Sequence, residues 1–163
     1  MVEAFSIRSA TPADIDAILG MVRELAEYEN LLDQYVATEK QFQEALFGEK
    51  PMAEALVGEL KDEPVAFALF FHNFSTFAGK PGLYLEDLYV KPPYRSRGFG
   101  KAFLRHLARI ALERGCARFE WTVLDWNEPA IRAYDSIAAA SLDEWTIRRL
   151  EGGSLRKLAE EVD

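Results

Sequence analysis

The chain has one cysteine, Cys116, and two histidines, His72 and His106, in 163 residues. A single thiol excludes an internal disulfide, and two histidines without a cysteine pair give no spacing that would ligate zinc, so no metal is expected. No segment approaches the roughly 18 uninterrupted apolar residues of a membrane span, and the N-terminus lacks a basic region followed by an apolar run. The expectation is a reducing, cytoplasmic setting with no membrane partner. There is no Gly-X-Ser-X-Gly elbow, which argues against a serine hydrolase. Positive charge is also short: 19 Lys and Arg against 27 Asp and Glu give a net charge of -8. Nucleic acid, which asks for a broad basic face, is disfavoured as a partner.

What positive charge there is lies together. Between Lys91 and Arg118 stand eight basic residues (91, 95, 97, 101, 105, 109, 114 and 118) against one acid, Glu113, a net of +7 that leaves -15 for the remainder. A compact basic segment in an acidic chain suits a single small polyanion. Arg97, Lys101, Arg105 and Arg109, four apart, also read as the solvated stripe of an amphipathic helix.

With 49% apolar residues the chain can bury a real core, and no linker, repeat or low-complexity tract divides it, so residues 1–163 are expected to form one domain. The pattern predicts a strand at 5–8, then a helix opened by Thr11-Pro12 with Ile15, Ile18, Leu19, Val22 and Leu25 at helical spacing and ending near Tyr28. Thr38 and Gln41 have capping-box spacing for a short helix. Strands follow at 55–60 and 65–71, joined by a turn at 61–64, then a strand at 83–90 and a helix at 98–114 with Phe103, Leu107, Ile110 and Ala111 facing the core. Next come a strand at 118–123, a helix at 128–138, a strand at 144–150 and a short terminal helix at 154–162. Antiparallel strands first and a βαβ unit later indicate the α/β (α+β) class, a mixed twisted sheet with helices on both faces. Cys116 reads as a small buried hydrophobe entering a strand, and Trp145 as a core residue.

The strand at 83–90 runs into Lys91-Pro92-Pro93-Tyr94-Arg95-Ser96-Arg97-Gly98-Phe99-Gly100-Lys101, and glycines that free backbone N–H groups at a helix N-terminus make an anion-binding turn. A phosphorylated cofactor is the expected ligand. Arg95 to Gly100 match the Arg/Gln-X-X-Gly-X-Gly/Ala signature of acetyl-CoA-dependent N-acetyltransferases of the GNAT superfamily. The segments 72–77, 79–90, 113–118 and 124–131 extend the likeness, so that the whole chain resembles the spermidine/spermine (diamine) and thialysine acetyltransferase branch.

The resemblance implies a set of roles. Backbone N–H groups of Arg95, Ser96, Arg97, Gly98, Phe99, Gly100 and Lys101 would hold the CoA pyrophosphate. The strand Leu88-Tyr89-Val90 would pair with the pantetheine arm and polarise the thioester. Asn127 matches a cofactor-contacting position, and it stands equally well as the N-cap of the helix opening at Glu128. Tyr134 would protonate the leaving thiolate, and Glu86 would accept the proton of the amine, through water. Tyr28, Glu29, Glu86, Asp87, Asp143 and Glu144 would line a site for a cationic acceptor, where carboxylates attract ammonium groups and an aromatic face adds cation–π contact. Glu86 and Asp87 are neighbours on a strand, so regular geometry sends them to opposite faces unless a bulge intervenes.

The implied reaction is acetyl transfer to a primary amine of a polyamine or diamine, or of a thialysine- or lysine-like amino acid, by a homodimer. A protein lysine or N-terminal acetyltransferase, or a non-catalytic acyl-CoA-binding module, stands as the alternative. The chain departs from the family pattern after Tyr134, where a basic residue and a glycine are replaced by Asp135-Ser136-Ile137-Ala138. Ala138 is then left to end the helix at positive φ.

Overall fold

The computed structural model describes residues 4–161, in two compact units that divide between Thr122 and Val123. In the first unit, β1 (Phe5–Ser9), β2 (Glu54–Leu60), β3 (Glu63–Ser75), β4 (Lys80–Val90) and β5 (Arg118–Glu120) form one sheet in the order β1-β2-β3-β4-β5. The first four strands are antiparallel and β5 lies parallel to β4. Two helices, α1 (Ile15–Tyr28) and α2 (Glu39–Phe47), precede β2, and α3 (Phe99–Glu113) links β4 to β5.

The helices begin as the sequence signals say. Thr11 donates its backbone N–H and hydroxyl to the Asp14 carboxylate, at 2.7 and 3.1 Å, in a one-turn 3-10 lead-in to α1. Arg8 grips the same carboxylate with both terminal guanidinium nitrogens, at 2.7 and 2.8 Å, and reaches Glu59 at 2.5 Å, so β1, β2 and the start of α1 share one ion cluster. The Arg8 pair holds the Asp14 carboxyl down at about 2. Thr38 and Gln41 exchange the two bonds of the capping box at the start of α2.

Both faces of the sheet are covered. Val57, Phe67 and Tyr89 pack with Ile18 and Met21 of α1 and Leu46 of α2. On the opposite face Phe5 stacks on Phe99 with centroids 3.8 Å apart and meets Phe103 edge-on at 6.2 Å. Gly58 sits beneath that pair, where a Cβ would come within 2.7 Å of Phe5 and 2.8 Å of Phe103. The core face of α3 is Phe103, Leu104, Leu107 and Ala111. Ile110 is only half-buried, because the face is centred one position toward Leu104.

Several element limits differ from the sequence reading. The β2–β3 turn is just Lys61 and Asp62, both left-handed at φ 53 and 63, which suits a two-residue hairpin. β3 runs on to Ser75 and β4 starts at Lys80, since the backbone ladder continues past the point where the apolar run stops and the side chains alternate into solvent. β5 stops at Glu120. Cys116 is half-buried, not fully enclosed.

The second unit contains α4 (Glu128–Asp135) and α5 (Gly152–Glu160). The terminal helix thus starts two residues early, and its expected end at Val162 lies outside the described residues. The predicted strand at 144–150 is absent among the described residues, and Trp145, expected in the core, is 80% exposed. Alternating apolar residues mark a face but supply no partner strand, and without a ladder the segment stays irregular. Ala138 does take the left-handed conformation, φ 59, closing α4 with Ala139 N–H donating to the Tyr134 carbonyl at 3.2 Å.

A left-handed alanine costs about 1–2 kcal/mol. Ala138→Gly is therefore expected to stabilise the protein by roughly 1 kcal/mol, less the added flexibility of the unfolded chain, in urea unfolding followed by circular dichroism. An unchanged or lower midpoint would count against strain at this turn.

Candidate functional site

β4 is the element around which the candidate residues of the first unit gather. Its inner edge is laddered to β3 throughout, but β5 pairs only with Gly82, Leu83 and Tyr84. Beyond Tyr84 the outer edge of β4 has no strand beside it among the described residues. Lys91 N–H donates to the Val65 carbonyl at 3.0 Å, which fixes the alternation: residues 89 and 91 address β3, and Leu88 and Val90 point their backbone groups to the open edge. The Val90 carbonyl on that edge accepts the Arg95 Nε–H at 2.9 Å. Tyr89 belongs to the core instead; it is 5% exposed and its hydroxyl donates to Glu24 at 3.0 Å. Burial, then Glu24, push its phenol up to about 12.

The open edge leads straight into the turn before α3. Ser96 (φ 61) and Gly98 (φ 81) are both left-handed, and Gly98 caps the helix without a side chain. The first intrahelical bond is Ala102 N–H to the Gly98 carbonyl, so the N–H groups of Phe99, Gly100 and Lys101 have no acceptor within the helix. Arg97 and Lys101 are exposed here, and the Arg97 guanidinium lies 5.6 Å from the Tyr94 ring. The result is a short cationic cradle of free donors at the positive end of a helix dipole.

On the face of β4 toward α1 the register resolves the question of Glu86 and Asp87. Leu69 pairs with Asp87 and Phe70 pairs with Leu85, so Glu86 is an extra residue, a β-bulge. Leu69 and Phe70 are consecutive and face opposite ways; Leu85 and Asp87 therefore also do, and the alternation breaks at Glu86. Glu86 is exposed, whereas Asp87 is partly buried on the same face as Tyr89. Burial, then the charges of Glu86 and Glu29, push the Asp87 carboxyl up to about 7. Glu29, the C-cap of α1, is also raised by burial. Tyr28, the last residue of α1, has the Arg95 guanidinium 5.0 Å from its ring centroid. The first unit thus brings together Tyr28, Glu29, Glu86 and Asp87.

The second unit places Asn127 at the N-cap of α4, although its side chain does not cap the helix. Asn127 and Tyr134 are seven residues apart and both half-buried, along with Ile131, so they share one face of α4. Asp143 and Glu144 form an exposed turn. Two residues at the site gave no signal in the sequence: Glu24, whose bond to Tyr89 spans 65 positions, and Arg95 in its contact with α1. Among the described residues no group of three or more His, Cys, Asp or Glu could hold a metal ion, and no helix is long and apolar enough to cross a membrane.

Comparison with known proteins bears on this arrangement. Residues 20–138 match the model of the Acetyltransferase (GNAT) family. The chain is 40% identical to a thialysine N-epsilon-acetyltransferase of Sus scrofa, over 94% of this chain and 96% of that protein. It is 31% identical to an L-ornithine N5-acetyltransferase of Arabidopsis thaliana, over 93% of this chain and 86% of that one. Among solved structures, an integron cassette protein from the mobile metagenome of V. cholerae superposes with a TM-score of 0.81 at 27% identity, covering 96% of this chain and 98% of the other.

The raised Asp87 makes a pH prediction. A carboxyl whose folded pKa lies above its unfolded value of about 3.9 costs nothing when both states are protonated, and lowers stability as pH rises from there through about 7. Asp87→Asn is expected to gain stability relative to the parent progressively between about pH 4 and pH 7 and to gain no more above that, read as urea midpoints. A difference independent of pH would show that Asp87 is not held in this way.

Proposed function

Because the chain belongs to the GNAT acetyltransferase family, we propose that it moves an acetyl group from acetyl-CoA to a primary amine of a small cationic metabolite, in a ternary complex. Its membership makes it an N-acetyltransferase, with a GNAT fold. The observation that carries the finer reading is the outer edge of β4 beyond Tyr84, with no strand beside it among the described residues, running into the left-handed turn at Gly98. Acetyl-CoA supplies the thioester; the chain supplies everything that holds and polarises it.

The edge groups of Leu88 and the Val90 N–H suit an extended, amide-bearing pantetheine arm, which can add to the sheet as a strand would. The Val90 carbonyl is already engaged by Arg95. The free N–H groups at Phe99, Gly100 and Lys101, within the turn from Arg95 to Lys101, suit a pyrophosphate. Asn127 and Tyr134, on one face of α4, are assigned to the cofactor and to the leaving thiolate. A phenol carries an O–H that it can donate to the thiolate.

The acceptor must lose a proton first, since an alkylammonium has a pKa near about 10.4. Glu86, exposed on the bulge, takes it through water, and Tyr28, Glu29 and Asp87 attract and hold the cation. The relatives named for thialysine and for L-ornithine favour an amino acid carrying a side-chain amine, with diamines and polyamines next. A homodimer in the cytoplasm, acting as one catalytic domain, completes the reading.

Thiol release from acetyl-CoA is the direct test, across thialysine, ornithine, lysine, putrescine, spermidine and a lysine-containing peptide, each against a no-amine control. Turnover is expected with at least one small amine. Tyr134→Phe should lower kcat by about 10²-fold while CoA affinity stays within twofold. Equal turnover in the variant would remove Tyr134 from the chemistry, and acetylation of the peptide alone would overturn the small-amine reading.

A further inference from the structure

The two arginines of the turn do different things. Arg97 stays at the turn, against Tyr94 three residues before it. Arg95 turns back and away: its Nε–H donates to the Val90 carbonyl at 2.9 Å, and its guanidinium carbon lies 5.0 Å from the Tyr28 centroid and 5.3 Å from the Tyr89 centroid. Tyr89 in turn donates to Glu24, which stands one helical turn before Tyr28 on the same face of α1. Contacts therefore close a ring: turn, Arg95, Tyr28, α1, Glu24, Tyr89 and β4.

Resting on the reading above, we infer that Arg95 is a positioning residue that ties the cofactor turn to the acceptor end of α1, so that CoA and the amine bind with positive coupling. Arg95 leaves the turn immediately before Ser96, whose left-handed conformation starts the run of donors. An anion that engages those donors fixes the backbone from which the Arg95 side chain departs. The guanidinium then fixes the Tyr28 ring, and with it the Glu29 cap beside Asp87. Whichever ligand binds first meets the ordering cost of this path, and the second meets less of it. Coupling of this kind is reciprocal, so each ligand raises the affinity for the other by the same factor.

The side-chain chemistry is specific to arginine. A planar guanidinium offers its π-faces to aromatic rings while its Nε–H remains in plane for a carbonyl, which a point-charge ammonium cannot do. The tie is also separable from stability. Arg95 is exposed and Tyr28 is 39% exposed, so truncating either leaves the Phe67–Tyr89 core in place.

Amide hydrogen exchange with CoA as the probe tests this without any turnover. In the parent protein saturated with CoA, exchange at the C-terminal turn of α1, residues 25–29, is expected to slow several-fold; in Arg95→Ala and Arg95→Lys at CoA saturation it is not. Tyr28→Leu, which leaves the turn and its charges intact, should bind CoA within about twofold of the parent and likewise lose the α1 protection. Calorimetric titration of thialysine and spermidine, with and without CoA, is expected to show about 5-fold or greater tightening by CoA in the parent and about none in Arg95→Ala. A parent whose α1 exchange is untouched by CoA overturns the inference. So does Arg95→Ala with CoA affinity down more than about 10-fold and α1 protection unchanged, which would make Arg95 a phosphate ligand. If neither amine binds, the acceptor reading fails, and the exchange result still decides the tie.

Discussion

The structure turns on an unequal pairing of one strand. β4 is hydrogen-bonded to β3 along its whole length and to β5 for only three residues. A parallel ladder that stops at Tyr84 leaves the next six residues of β4 with no strand on one edge among the described residues, inside a sheet rather than at its rim. Bare edges are normally blunted or covered because they invite another chain. Here the edge runs into a turn whose N–H groups at Phe99, Gly100 and Lys101 have no acceptor within α3.

The second feature follows from the same strand. The bulge at Glu86 adds one residue on β4 and reverses the side-chain alternation, so Leu85 and Asp87 face opposite ways. Without it, Asp87 would lie on the face of Leu85, and the acidic group beside the end of α1 would not exist. Partial burial among Glu86 and Glu29 then raises Asp87 toward neutrality. The same three-way crowding that disfavours its charge makes the spot attractive to a cation, which would relieve it.

How much of this could be read beforehand depended on distance along the chain. The Arg95–Gly100 turn, the caps at Thr11 and Thr38, and the left-handed Ala138 are local, and local chemistry is written in adjacent residues. The need for a bulge at Glu86 was legible as a conflict between two neighbouring acids, but its presence was decided by register against Leu69 and Phe70. The Tyr89–Glu24 bond and the Arg95–Tyr28 contact join segments far apart in sequence, and no spacing rule reports them. The strand expected at 144–150 failed for the complementary reason: Trp145 and Ile147 alternate as a strand would, but alternation does not supply a neighbour.

By itself, then, the sequence determined the class, the order of most elements and the glycine turn that opens α3. Those are properties of short-range periodicity, capping and turn geometry. Only the tertiary structure decided where β5 parts from β4, which face Asp87 takes, that Tyr89 is core while Leu88 and Val90 hold the open edge, and where Arg95 points. Each of these is set by pairing between distant strands, and a register exists only once both partners are in place.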